Sequence, residues 1–461
     1  MEQTAILRSI TEGDALPGYE RAILNALETS PKSIVVLDDD PTGTQTIYDI
    51  PVITEWTQEI LERELADNRI FFILTNSRSL QAEEANTLAE CIGQRLKIAA
   101  DKLDKSVLVI SRSDSTLRGH YPNEVEALIK GLGWKNTKQL LIPAFFEGGR
   151  YTFNDVHYVA EKQQFVPASE TPFAQDNTFG YSSSNLKEYI LEKYDHRISA
   201  DEIGSISLSD LRASDLTKVQ QTLASKQKTH FVVNATSYSD LQAIALSCLL
   251  HQGHVVFRSA ASFVNALGGI APKKCLEKGE VLKNEVTNGA LTVVGSYVPK
   301  TTAQLNYLKN RSSALFLELN ANLVFDKNAF YAQISDLTQQ ADKAIDKGQN
   351  VVIYTSRTIV KGTDKKESLA IVNEVANGLN TLIKQLRVRP RYILAKGGIT
   401  SSDIATKGLG VKRAMVLGQV IKGVPVWQLG DESKFPNLPY IVFPGNVGDE
   451  TAVAEVIKLL N

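Results

Sequence analysis

Cysteine, histidine and long apolar runs are all scarce in this sequence of 461 residues. The three cysteines, Cys91, Cys248 and Cys275, are odd in number and far apart. They make no disulfide framework and no metal-ligand spacing, so a reducing, cytoplasmic setting is expected. The six histidines form no HExxH or other tight zinc pattern. No apolar run approaches the ~20 residues that a membrane-spanning helix needs. The opening MEQTAILRSITEGDALPGYE is polar and acidic, unlike a secretion signal. An excess of one charge is also missing. Lys and Arg total 50 against 52 Asp and Glu, a net charge of −2. That balance gives no reason to expect a nucleic acid or a membrane as partner. Internal repeats, a GxxxxGK[ST] phosphate loop and a GxGxxG in its strand–helix context are absent too.

What is present is a long alternation of short apolar runs and amphipathic stretches. The length exceeds one ordinary core, and 43 % hydrophobic with 22 % charged residues is globular composition. Strands are expected at Ser33–Leu37, Ile70–Thr75, Ser106–Ile110, Gln139–Ile142, His230–Val233 and His254–Phe257. Helices are expected at Gln81–Asp104 and Tyr121–Gly131. Continuous apolar character suits strands covered on both faces, as in parallel α/β sheets. The stretch Glu147–Ser184 has no clear period and reads as loops and short strands that line a site. Ala271–Gly289 is polar and weakly periodic. The alternation then restarts with Leu291–Val294, Ala314–Leu317, Val351–Tyr354 and Tyr392–Ala395. The expected fold is therefore two α/β domains with mainly parallel sheets: 1–270, a linker 271–289, and 290–461. The active site is expected in the cleft between them.

Three constellations in the first domain stand at strand ends, where open α/β sheets bind ligands. Asp38-Asp39-Asp40-Pro41-Thr42-Gly43 places three carboxylates after a buried strand. Desolvated acids repel one another, so they call for a cation, a substrate hydroxyl or an arginine nearby. Read plainly, the same residues make a solvated Asx-type turn. Ser111-Arg112-Ser113-Asp114-Ser115-Thr116-Leu117-Arg118-Gly119 offers two guanidinium forks for a carboxylate or phosphate, with hydroxyls between them. The plainer alternative is a helix cap at Ser115 or Thr116 with a surface Asp114–Arg118 pair. Thr75-Asn76-Ser77-Arg78 repeats the theme.

In the second domain, Gly295-Ser296, Gly397-Gly398-Ile399-Thr400 and Gly445-Asn446-Val447-Gly448-Asp449 each pair a strand end with a glycine turn and a helix start. Backbone can approach a ligand there, and free N–H groups can meet a phosphate. One such turn is ordinary; three in one domain favour a nucleotide cradle. An acid-and-arginine half beside an anion-binding half is the division that phosphoryl transfer needs.

With these motifs in order along nearly the whole chain, the sequence resembles the four-carbon acid sugar kinase family. Asp39-Asp40-Pro41-Thr42-Gly43 is similar to its Asp-Asp-x-Thr-Gly element, and Asp114–Gly119 matches its Asp-Ser-Thr-Leu-Arg-Gly string. Gly149-Arg150 and Glu170-Thr171…Asp176 look like its Gly-Arg and Glu-Thr…Asp elements. The resemblance implies ATP-dependent, Mg²⁺-assisted phosphorylation of a small acid sugar such as threonate, erythronate or 3-oxo-tetronate. Asp39 or Asp40 is then expected as the base, with Asp449, an acid at a helix start, as a second candidate. Asn76, Arg78, Arg112, Asp114, Ser115 and Arg118 would hold the sugar acid. Ser296, Gly397, Gly398, Ile399, Thr400, Gly445, Asn446 and Gly448 would bind ATP. No metal ligands are assigned, and a homodimer is compatible with the sequence. Pro41, Asp38 and Lys396 depart from the usual family pattern and point to a divergent subgroup. Two rivals remain. One is a haloacid-dehalogenase-type phosphatase with Asp38 as nucleophile and Asp40 as acid/base, since Asp38-x-Asp40-x-Thr42 fits its DxDxT pattern. The other is a non-catalytic sugar-acid sensor.

Overall fold

The computed structural model describes residues 18–461 apart from 31, 162–163, 284–285, 358–359 and 361. Residues 1–17 of the stretch read for a secretion signal lie outside the described residues. The chain divides into two compact units, 1–43 with 55–272 and 44–54 with 273–461.

In the first unit seven parallel strands stand side by side. Their order is Ile70–Leu74, Lys32–Asp38, Ser106–Arg112, Val255–Ser259, Lys138–Ile142, His230–Val233 and Ile203–Ile206. Every residue of Lys32–Asp38 after the first is buried, as its β-branched run requires. The chain leaves this strand to one side, for Ile70–Leu74, and next adds Ser106–Arg112 on the other. That reversal opens a crevice at the C-terminal ends of the two inner strands, the position where doubly wound sheets hold ligands. Ala82–Lys102 and Asn123–Leu132 are helices. They approach closely through glycines: a Cβ on Gly93 would lie 2.6 Å from the Leu128 carbonyl oxygen. Ile203–Ile206 carries only two apolar side chains in Ile-Gly-Ser-Ile, too few for the apolar-run criterion to find. Within 147–184 a separate antiparallel sheet forms from Arg150–Phe153, Val156–Glu161 and Gln164–Pro167, followed by single turns.

In the second unit the order is Leu315–Leu319, Val351–Thr355, Leu291–Val294, Ile393–Lys396, Pro439–Phe443, Val424–Leu429, Arg413–Ile421 and Ile50–Ile53. The first five are parallel and the rest antiparallel. The side on which the chain adds strands changes again between Leu291–Val294 and Ile393–Lys396, which run parallel. Along Arg413–Ile421 half-buried and buried residues alternate, the mark of a sheet with one covered face. A search for continuous apolar runs passes over that pattern. The early segment 44–54 is anchored here by Ile50–Ile53, which pairs with Arg413–Val416. The fully buried Trp427 also donates its Nε1–H to Thr44 Oγ1 at 3.0 Å.

Candidate active site

The parallel register sets Asp38 directly beside Arg112. Arg112 Nη1 stands 3.3 Å from Asp38 Oδ1, and Asp38 is 1 % exposed. Burial pushes its carboxyl up to about 8 against the pull of Arg112, and Asp39 and Asp40 push the same way. The Pro41–Thr44 turn folds back over this carboxylate so tightly that a Cβ on Gly43 would overlap it. Glycine is needed there for space. Asp39, also buried, accepts the Ser113 hydroxyl and keeps its Oδ1 unpartnered.

Asp40 alone of the three acids presents its side chain outward, at 21 % exposure. Arg78 Nη2 pairs with it, and the Thr42 amide donates to it at 2.8 Å. Burial works against ionisation, but Arg78 and Thr42 outweigh it and hold this carboxyl below the usual range. Arg78 also reaches Asp114 at 3.8 Å, so one guanidinium ties three strand ends together. Asp114 accepts from Arg118 Nε at 2.8 Å and from the Thr116 hydroxyl. Despite burial, these cations pull its carboxyl down to about 2. Arg118 reaches Asp176 at 3.8 Å and lies over the Phe173 ring at 5.1 Å. Arg150 stands over the same ring at 6.0 Å. The irregular segment therefore does border this cluster.

Helix formation begins only at Asn123, so neither Ser115 nor Thr116 is a helix cap; the Asp114–Arg118 pair exists, but within the loop. The Ser115 carbonyl receives His157 Nε2 at 2.8 Å. Asn76 adopts φ 54° and starts the Ser77–Ser79 turn that delivers Arg78. Beneath lies a layer that motif reading missed. Arg258 Nη2 donates to the Arg118 carbonyl at 3.0 Å. Arg258 stands one residue before the end of the buried strand Val255–Ser259, and an arginine so near a buried strand end is the signal that identifies it.

Glu124 is buried near Ser77 and Arg258, and burial raises its carboxyl to about 7. Between its ordinary value and about 7 the folded protein keeps a proton that the unfolded chain has released. Stability therefore falls as pH rises through that window. Glu124→Gln removes this loss. Thermal melts should show the variant gaining on the parent as pH rises, with the largest gain above about 7.

In the second unit the three glycine turns meet at neighbouring strand ends. The Ser296 amide donates to the Lys396 carbonyl at 3.4 Å and the Gly397 amide to the Phe443 carbonyl at 2.8 Å. A Cβ on Gly397, where φ is +122°, would lie 3.0 Å from Ser296 Cβ, and one on Gly295 would overlap Thr400. A Cβ on Gly445 would stand 3.2 Å from Ser296 Oγ. Thr301 Oγ1 donates to the Gly445 carbonyl at 3.1 Å, and Lys300 to the Asn446 carbonyl at 3.2 Å. Gly448 takes φ +77° ahead of the Ala452–Leu460 helix. Ile399 is 67 % exposed at the start of the Gly398–Asp403 helix. Lys396, fully buried, gives its ammonium to the Pro444 and Gly445 carbonyls at 2.6 and 3.3 Å. Burial lowers it to about 7. Asp449 accepts from the Thr451 amide at 2.9 Å and hydroxyl at 2.7 Å, the part of a helix-start acid. Among the described residues, no group of three His, Cys, Asp or Glu side chains is arranged to hold a metal.

An acid-and-arginine cluster stands at strand ends of one α/β unit, and three glycine turns converge at strand ends of the other. Residues 34–267 match a family model described as a sugar-binding N-terminal domain, and 291–453 one described as a nucleotide-binding C-terminal domain. The chain belongs to the four-carbon acid sugar kinase family. A curated relative, the D-erythronate kinase of Heliobacterium modesticaldum, is 25 % identical over 308 residues, spanning 64 % of this chain and 64 % of that protein. A crystal structure from Haemophilus influenzae superposes with a TM-score of 0.64 at 16 % identity, covering 93 % of this chain and 100 % of its own. A Salmonella typhimurium LT2 structure, described as that of a tRNA synthase, gives 0.65 at 16 % identity over 91 % of this chain and 97 % of its own. These two establish the likeness of fold.

Proposed function

We propose that the protein is an ATP-dependent kinase that phosphorylates a hydroxyl of a four-carbon acid sugar, with threonate, erythronate and 3-oxo-tetronate as the first compounds to try. The observation that carries this reading is Asp40, the one acid of its triplet facing outward, held ionised by Arg78 beside Asp114 and Arg118. Arg118 is the fork for the substrate carboxylate, being partly exposed; Arg112 is committed to Asp38 underneath. Asp40 accepts the proton of the reacting hydroxyl. Asp39 is too covered for that part and instead fixes Ser113.

The glycine turns of the second unit fit a nucleotide, because their missing side chains let the turns pack against the Ser296, Thr400 and Ala452 side chains and bring backbone N–H groups to one end of the sheet. The N–H groups of Gly398–Thr400 and Gly445–Gly448 hold the phosphates, with the Ser296 hydroxyl beside them; the Ser296 and Gly397 amides are already given to neighbouring strands. Mg²⁺ carried on those phosphates supplies charge neutralisation when bound, and it needs few protein ligands. The expected setting is the cytoplasm. A phosphatase using Asp38 as nucleophile is disfavoured, since that carboxyl is covered and paired with Arg112.

The test is ADP formation from ATP with a panel of four-carbon acids. Turnover is expected with at least one of them. Binding of an acid without ATP consumption would make the protein a sensor. Phosphate release from sugar phosphates without ATP would make it a phosphatase.

A further inference from the structure

Arg357 follows the buried strand Val351–Thr355, whose neighbour Leu291–Val294 leads into Ser296. Its Nη2 donates to the Ser296 carbonyl and, at 3.2 Å, to Thr302 Oγ1. The guanidinium lies over the Tyr297 ring, 5.3 Å from its centre. Its Nε and Nη1 are buried and have no hydrogen-bond partner among the described residues. No carboxylate stands within ion-pair distance of it among the described residues. Glu318, which acts on it electrostatically from further away, receives the Tyr354 hydroxyl at 3.1 Å.

Two other cations at this end of the sheet are occupied. Lys396 serves two carbonyls and Lys300 serves the Asn446 carbonyl. Arg357 is different: a half-buried cation beside the Ser296 turn with two donors unused. A charged donor left unpaired in a covered place is costly, and a guanidinium fork matches the oxygens of a phosphate.

We propose that Arg357 is a phosphate-binding residue of the nucleotide site, adding a cationic fork to the backbone N–H groups of the glycine turns. This rests on the nucleotide reading of the second unit given above. It also explains why the arginine is tied to the Ser296 turn: Nη2, bonded to the Ser296 carbonyl and Thr302, fixes the fork, leaving Nε and Nη1 for the ligand.

Titration calorimetry on the full chain tests it, with ATP, ADP and adenosine as ligands. Arg357→Gln should weaken ATP and ADP by about 10- to 100-fold, the range for losing hydrogen bonds to a charged group. Adenosine binding should change less than about twofold. Arg357→Lys should fall between, keeping charge without the fork. If Arg357→Gln does not fold, the lysine variant decides: weaker ADP with unchanged adenosine supports the proposal, and unchanged ADP overturns it. Equal weakening of adenosine and ADP would overturn it as well, leaving Arg357 a brace for the Ser296 turn. A parent protein that binds no nucleotide at all would remove the underlying reading itself. A parent that binds ATP normally, alongside a glutamine variant that binds it equally well, would remove only this proposal.

Discussion

Asp40→Asn is expected to lower turnover of the acid sugar by about 10²- to 10⁴-fold, the usual contribution of a positioned acid–base group. Nucleotide affinity, which the proposed function assigns to the second unit, should stay within about twofold. The amide keeps the size of the side chain and can still accept from Thr42. What it loses is the negative charge that Arg78 stabilises and the capacity to take a proton. Asp39→Asn should act differently. That side chain is buried against Ser113, so its loss should show first in the melting temperature. ADP formation at saturating ATP, read beside thermal melts, separates the two. Near-normal turnover in both variants would refute the assignment of the base to this triplet.

Arg78→Ala is expected to lower kcat/KM for the acid sugar by on the order of a hundred- to a thousandfold, because removing one member of a largely covered ion pair strands its partners. Here two partners are stranded, Asp40 and Asp114. Without the guanidinium both carboxyls rise, so less of Asp40 is ionised at mildly acidic pH. The acid limb of the pH–rate profile should move to higher pH. Arg78→Lys should return much of the profile's position, since the charge is restored, but less of the rate, since one ammonium cannot bridge two carboxylates as the fork does. Rates measured from about pH 4 to 8 check both statements. An unmoved acid limb in Arg78→Ala would show that Asp40 does not control it.

The paired carboxylates and arginines were legible as types but not as pairs. Three acids at the end of a buried strand demand cations; Arg78 follows one neighbouring strand, while Arg112 ends another and Arg118 lies in the loop after it. Which arginine meets which acid depends on strand order. Asp38 meets Arg112 because their strands are adjacent and in register, whereas Asp40, two residues on, has turned towards the third strand end and Arg78. Arg258 and Arg357 escaped notice because each is a lone arginine without a motif around it. Their meaning comes from what surrounds them: the Arg118 carbonyl for one, the Ser296 turn for the other.

By itself the sequence determined the class of fold, through continuous apolar runs alternating with amphipathic helices. It also showed which residue types stand at strand ends in each half, acids and arginines in the first and glycines in the second, because these break the apolar runs. Only the tertiary structure decided that residues 44–54 join the second unit, since a four-residue strand declares itself only by its partner, Arg413–Val416. Only the tertiary structure ranked the acids, too. Asp38, Asp39 and Asp40 are chemically identical in sequence, and burial and ion pairing, which depend on distant strands, leave just one of them facing outward.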